Sequence, residues 1–189
     1  MIRLACLVLA AGGSRRFGGC KQLAKVNGNP LVLHCLDALK PHFQSDLFLL
    51  LGAESEKIKS LVQNNVQVIE NENWSDGIGS SIACGINQIE KMDTYDGVMV
   101  ALADQPRLTG SDYNKLLDQF DGSRIVAARY AGTIGVPAIF PAELFGHLKQ
   151  LKGDKGAKSL LACHNDRVLS VQLPRAECDI DTPADLLGL

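Results

Sequence analysis

The stretch "LACLVLA", residues 4–10, is apolar at every position and runs straight into Ala11, Gly12 and Gly13. A strand that alternates apolar and polar residues needs cover on one face only. A strand apolar throughout must be buried on both faces, and that situation arises in a parallel sheet sandwiched between helices. The same signature returns in "DLFLLLG" (46–52) and "DGVMVALAD" (96–104), and "VQVIEN" (66–71) reads as a further strand. Segments with helical spacing separate these runs: "GNPLVLHCLDALKPHF" (28–43), "ESEKIKSLVQNN" (54–65) and "GSSIACGINQIEKM" (79–92). In the first of these, Asn29 is expected to cap the helix and Pro30 to occupy its first turn.

The alternation continues. A helix is expected over about 111–120, strands over "RIVAARY" (124–130) and "VPAIF" (136–140), and a helix over "PAELFGHLKQL" (141–151) beginning at Pro141. A short helix over "GAKSLLACH" (156–164), a strand over "VLSVQL" (168–173) and a terminal helix over "TPADLLGL" (182–189), opened by Thr182 and Pro183, complete the pattern. The expectation is an α/β fold with a mostly parallel, mixed sheet and helices on each side, organised as one domain over residues 1–189. In such sheets ligands gather beyond the carboxyl ends of the strands. Candidate chemistry therefore lies after Ala10, Glu70 and Ala103, and near Asp179.

Bulk properties narrow the partners. Nineteen basic and 21 acidic residues give a net charge of −2. That balance offers no electrostatic basis for binding nucleic acid or an anionic membrane, so an anionic ligand must meet local positive charge. No apolar run approaches the ~20 residues of a membrane-spanning helix. Arg3 followed by "LACLVLAAGG" resembles a short secretion signal, but the apolar segment sits at the lower limit and the residues after Gly13 read as a functional loop. A cytoplasmic protein with reduced thiols is expected. The six cysteines carry no CxxC or CxxH spacing, so neither zinc nor a disulfide framework is indicated. Cys163 and His164 are sequence neighbours whose side chains point apart, and both are read as structural. None of the four histidines is assigned a role.

The loop after the first strand is rich in small residues, which let backbone N–H groups face an anion, and Arg16 and Lys21 add fixed charge beside it. It fails the Walker pattern, because Gly19-Cys20 stands where Lys-Ser/Thr is needed after "GSRRFG". It also fails GxGxxG, because Gly12 and Gly13 are adjacent and no third glycine follows at the required offset. It does fill LAAGxSxRxGxxK at Leu9, Ala10, Ala11, Gly12, Ser14, Arg16, Gly18 and Lys21. In this it resembles the nucleoside-triphosphate transferases related to the molybdenum cofactor cytidylyltransferases and guanylyltransferases.

The resemblance implies a Rossmann-like three-layer nucleotidyltransferase fold. It implies that Arg16 and Lys21 hold a triphosphate, with Leu9, Ala10, Ala11, Gly12, Gly13 and Ser14 around base and phosphates. In "ALADQPRL", Asp104 could simply cap the turn before Pro106; the resemblance implies instead that it binds Mg²⁺, a hard cation suited to a carboxylate oxygen. Asp181 in "CDIDTPADL" has a helix-terminal reading of its own. The resemblance brings Asp179 and Asp181 back to the metal, Asp179 as second ligand and Asp181 in support. Ser80 and Ser81 are expected to offer donors to the nucleotide at a helix N-terminus, and Trp74 to be a packing residue rather than a base-stacking one.

Gly135 and Pro137, with Phe140, resemble an acceptor-side segment of the family, although Val136 stands where relatives often carry His. Lys158 in "GDKGAK" replaces an arginine of the resembled segment, keeping the charge and losing the bidentate fork. The implied reaction moves a nucleoside monophosphate to a phosphorylated acceptor and releases pyrophosphate. Arg16, Lys21 and Asp104 are its catalytic residues. Ala11, where a glycine would mark the guanylyltransferase branch, points to CTP rather than GTP. The acceptor implied is molybdopterin or its metal-loaded form, with a molybdoenzyme or chaperone as protein partner. Alternatives are a guanylyltransferase, a transferase for another phosphorylated metabolite, and a non-catalytic nucleotide-binding or cofactor-chaperone protein.

Overall fold

A computed structural model of the chain describes residues 2–62 and 66–188. In chain order the elements are β1 (Leu4–Leu9), β2 (Lys25–Val26), β3 (Asn29–Pro30), α1 (Leu31–Phe43), β4 (Leu47–Leu51), α2 (Ser55–Val62) and β5 (Gln67–Glu70). Then follow α3 (Ile78–Met92), β6 (Gly97–Leu102), α4 (Gly110–Leu117), β7 (Ile125–Tyr130), β8 (Thr133–Pro141), α5 (Phe145–Leu148), α6 (Ala157–Cys163) and β9 (Val168–Gln172). Among the described residues, seven strands form one sheet in the order β5-β4-β1-β6-β8-β7-β9, and β2 with β3 forms a separate hairpin. The pairs β1–β4, β1–β6, β4–β5 and β7–β9 are parallel, whereas β8 runs antiparallel to both β6 and β7.

Full burial of β1, β4 and β6 has the cause expected from their sequences. Alternate residues feed two separate cores. Cys6, Val8, Leu49 and Met99 face one core, shared with Val32, Leu36 and Leu39 of α1, Ile58 of α2 and Tyr113 of α4. Leu7, Phe48, Leu50 and Val100 face the other, shared with Ile82, Ile86 and Ile89 of α3, Leu148 of α5 and Leu160 of α6. Helix α3 lies close against the sheet at Gly85, where a Cβ would stand 2.4 Å from Leu7 Cδ2. Helix α4 is set by a capping box in which Thr109 and Asp112 exchange hydrogen bonds.

Chain direction reverses around β1. From β1 the chain proceeds to β4 and β5 on one side, then crosses back to β6 on the other. This switch point leaves a crevice beyond the carboxyl ends of β1 and β6, the place where open α/β sheets bind ligands.

Four expectations change. Asn29 and Pro30 form β3, and Pro30 rather than Asn29 stands at the cap of α1: Asn27 and Gly28 both have positive φ and close a tight turn between β2 and β3. Strand β8 begins at Thr133, because Ala131 and Gly132, also at positive φ, join it to β7 as a hairpin. Pro141 ends β8, and the segment after it is a 3₁₀ turn over Ala142–Leu144 leading into the four-residue α5. Residues Pro183–Gly188 form 3₁₀ turns rather than an α-helix. Residues 63–65 of the second expected helix, and residue 189 of the last, lie outside the described residues.

Candidate active site

The loop leaving β1 is held to the sheet at its root. The Ala10 N–H donates to Leu50 O at 2.9 Å, and Ala11 O accepts from the Ala53 N–H at 3.1 Å. Ser14 and Gly18 take positive φ, and the N–H groups of Phe17 and Gly18 both return to Ser14 O, closing a tight turn that carries Arg15 and Arg16. The chain then makes a single 3₁₀ turn, Lys21–Leu23.

From that turn Lys21 reaches across the crevice. Its ammonium donates to Asp104 Oδ2 at 2.5 Å, to Ile180 O at 2.9 Å and to Asp181 Oδ1 at 3.2 Å. Burial works to lower its pKa, but Asp104 and Asp181 outweigh that and hold it above the usual lysine value. Arg16, largely exposed, pairs with the other oxygen of Asp181 at 2.9 Å. The Ile180 N–H donates to Asp104 O at 3.0 Å, so the segment carrying Asp179 and Asp181 is stitched directly to the turn after β6. The three aspartates meet although Asp104 lies far from the other two in sequence.

Asp104 sits two residues beyond β6, and its Oδ1 is buried without a hydrogen-bond partner among the described residues. Asp179 is pushed up to about 6, first by loss of solvation on its protein side and then by the charge of Asp104, although the residue keeps an exposed face. A buried carboxylate oxygen with no donor, beside a second carboxylate that resists ionising, fits a divalent cation. Asp104 and Asp179 are the residues that could hold such a cation, while Asp181 has both oxygens committed to Lys21 and Arg16. Among the described residues no group of three or more acidic, histidine or cysteine side chains forms a ready-made metal cage.

A cleft of about 520 Å³ opens at this switch point. Of the residues singled out in the sequence, those from Leu9 to Gly13 line it together with Arg16, Lys21, Ser81 and Asp104. Ser80 does not: its hydroxyl donates to Asn73 O and Gly77 O and so fixes the turn before α3. Ser14 lies behind the wall, its hydroxyl near Gly12 O and the Gln22 side chain. Gly135, Pro137 and Lys158 fall outside the cleft lining: Gly135 packs beneath the Tyr130 hydroxyl, and Lys158 is exposed on α6. Trp74 packs against the second core and also lines the cleft. Its ring covers Gly13 and Gly52, where a Cβ would stand 3.1 Å from Cζ3 and 2.4 Å from Cβ respectively.

Residues not singled out in the sequence also shape the wall. Gln22, buried, donates through Nε2 to Ala10 O at 3.0 Å. Asn71 donates to the hydroxyls of Ser80 and Ser81. Asp154 closes the far side, on a loop locked to α3 by the Gly79 N–H donating to Gly153 O at 2.8 Å. The signal available for Gln22 and Asn71 was a polar side chain destined for burial, which composition and periodicity do not reveal.

A family model described as the MobA-like NTP transferase domain matches residues 6–168. The chain is 30% identical to the purine catabolism protein PucB of Bacillus subtilis (strain 168), over 94% of this chain and 91% of that protein. It is 28% identical to the nicotine blue oxidoreductase of Paenarthrobacter nicotinovorans, over 82% of this chain and 79% of that one. It is 30% identical to a protein of Pyrococcus horikoshii named "Probable molybdenum cofactor guanylyltransferase", over 67% of this chain and 61% of that one. Among solved structures, Rv0371c of Mycobacterium tuberculosis H37Rv superposes with a TM-score of 0.84 at 27% identity, covering 100% of this chain and 98% of that one. Its manganese complex superposes with a TM-score of 0.79 at 26% identity, covering 99% and 97%.

Proposed function

The chain belongs to the MobA-like NTP transferase family, and from that premise we propose that it transfers a nucleoside monophosphate, CMP from CTP, to a phosphorylated acceptor of the molybdopterin type and releases pyrophosphate. One observation carries the reading: Asp104, its Oδ1 buried and unpartnered, lies against the Lys21 ammonium at the mouth of a loop lined by backbone and by Arg16.

An acceptor phosphate oxygen is already ionised at neutral pH and needs no general base. It attacks the α-phosphorus, a new P–O bond forms, and the bond to the bridging oxygen breaks, with the electron pair leaving on pyrophosphate. What the chain must supply is in-line placement and compensation for charge gathering on the leaving group. Lys21 and Arg16 fill that part by exchanging the Asp181 carboxylate for phosphate oxygens, and the loop N–H groups bind the remaining ones. Asp104 and Asp179 would hold a divalent cation such as Mg²⁺, which neutralises phosphate charge when bound.

The preference for CTP rests on Ala11, which lines the cleft and stands where the guanylyltransferase branch of the resembled family carries a glycine. The molybdopterin-type acceptor rests on the name carried by the P. horikoshii relative. The test is pyrophosphate release with Mg²⁺ and each triphosphate in turn, with and without molybdopterin. Release with CTP and acceptor is the expected result. Release with GTP alone would overturn the base preference, and no release under any combination would overturn the transferase. In the same assay Asp104→Ala should abolish turnover while leaving the circular dichroism spectrum unchanged. Wild-type turnover in that variant would remove Asp104 from the site.

A further inference from the structure

We infer that Gln22 is the positioning residue that turns the loop after β1 into an anion cradle, an inference that rests on the triphosphate reading of the cleft. A glycine-rich loop has no inherent preference for presenting N–H groups rather than carbonyls to its ligand; something must turn the carbonyls away. Here they are engaged at the back. Ala10 O accepts from Gln22 Nε2 at 3.0 Å, Gly12 O lies 3.4 Å from the same nitrogen, and Ala11 O accepts from the Ala53 N–H. The N–H groups of Ala11 to Arg16, by contrast, have no intrachain acceptor among the described residues. Two of the three carbonyls are therefore held by one side chain, while Ala11, Gly12 and Gly13, whose N–H groups have no acceptor among the described residues, line the cleft.

The other end of the same amide completes the arrangement. Gln22 Oε1 lies 3.4 Å from both the Ser14 hydroxyl and the Cys20 thiol, each a donor, so both arms of the side chain are used. Gln22 is only 4% exposed, and its four contacts span the loop from Ala10 to Cys20. Its neighbour Lys21 points the opposite way, to Asp104 and Asp181. One 3₁₀ turn thus sets the cation and the backbone donors relative to each other. Only a primary amide does this: a methionine has neither donors nor acceptor, and a glutamate would set a carboxylate against two carbonyl oxygens and beneath a bound anion.

The probe is inorganic pyrophosphate, titrated calorimetrically into wild type, Gln22→Met and Gln22→Glu well below their melting temperatures. Losing the two donors should weaken pyrophosphate binding about 10- to 100-fold in Gln22→Met, the range expected when buried acceptors lose their partners. Gln22→Glu should bind more weakly still. A purely structural role would lower the melting temperature and leave the dissociation constant of the folded protein within twofold of wild type; that result overturns the inference. If wild type itself binds neither pyrophosphate nor any nucleoside triphosphate, the triphosphate reading falls, and the inference with it. If the variants do not fold, wild type decides by amide hydrogen exchange. The amides of residues 11–16 should exchange freely in the unliganded protein and become protected by pyrophosphate. Protection already present without it would overturn the inference.

Discussion

Replacing Lys21 by methionine keeps most of the unbranched stem and removes one charged nitrogen that three partners share. The Lys21 and Asp104 side chains are 14% and 18% exposed, so their pair is largely withdrawn from water, whereas Asp181, at 39%, is not. Stripping one partner from a buried pair costs ~3–5 kcal/mol, because the remaining charge is stranded. Residual solvent around Asp104, and the ability of Asp179, already pushed up to about 6, to take up a proton, reduce that to about 2 kcal/mol at pH 7. For a chain of this size the melting temperature should fall by about 4–8 °C. The sign with pH follows from Asp179: burial and Asp104 push its carboxyl up to about 6 while the Lys21 charge holds it down, so in Lys21→Met it binds a proton more readily in the folded state. The deficit is therefore largest at neutral pH and shrinks as pH falls toward 5. Mg²⁺, which should bind the same uncompensated carboxylates, should raise the melting temperature more in the variant than in wild type. Turnover should drop about 10²- to 10³-fold, the range for losing one donor to developing charge. Differential scanning fluorimetry across pH and Mg²⁺, together with the pyrophosphate assay, reads all of these. Unchanged melting with turnover within threefold of wild type would refute the account of Lys21 as the shared counter-ion.

Two further perturbations test the loop that closes the cleft and the cap of α4. Gly79→Ala would place a Cβ 2.6 Å from the Lys152 backbone nitrogen and 2.8 Å from Lys155 O. Backbone cannot swing aside as a side chain can, so the 152–155 loop should lift from α3; a stability loss of about 1–3 kcal/mol and faster hydrogen exchange across that loop are expected. Asp112 is 2% exposed; burial alone would raise its pKa, but hydrogen bonds from Thr109, Lys115 and Arg175 outweigh that and hold it below the usual carboxylate value. A depressed folded pKa means its contribution is present above the unfolded value near 4 and is lost as pH falls through the folded one. Denaturation series from pH 7 to pH 3 should therefore show wild type losing stability faster at the acid end than Asp112→Asn.

How much of this was legible in the sequence depended on the range over which each feature is determined. Strand β1 and its partners were readable because burial on both faces leaves no polar residue in the run. The loop motif was readable because Arg16 and Lys21 sit within a dozen residues of the strand. The β2–β3 hairpin carried a local signal, Asn27-Gly28, the dipeptide most suited to a turn with two positive φ values. The apolar periodicity downstream of Pro30 masked it, since Asn-Pro also reads as a helix entry. At the C-terminus, Asp185 accepts hydrogen bonds from the N–H groups of Asp181 and Thr182. That local closure favours tight 3₁₀ turns over the α-helix the Thr-Pro pair suggests. The pairing of Asp181 with both Arg16 and Lys21 had no local signal, because it depends on the chain returning to the crevice after crossing the whole sheet.

The crevice gathers charges of both signs. Arg16 and Lys21 alone would repel one another, and Asp104, Asp179 and Asp181 alone would do the same. The fold brings the two sets together, so that Asp181 occupies the cations and Lys21 screens Asp104. On the transferase reading, a triphosphate does not meet bare charge when it binds. It replaces the Asp181 carboxylate on Arg16 and Lys21, and as Lys21 turns to phosphate, Asp104 becomes free to meet a divalent cation together with Asp179. Nucleotide and metal should then bind with positive coupling, since each removes the partner that the other must displace. Isothermal titration of CTP with and without Mg²⁺ should give a tighter nucleotide constant in its presence. In Asp181→Asn the coupling should weaken and metal-free nucleotide binding should strengthen, because the competing charge on Arg16 and Lys21 is gone; weaker metal-free binding in that variant would refute the exchange.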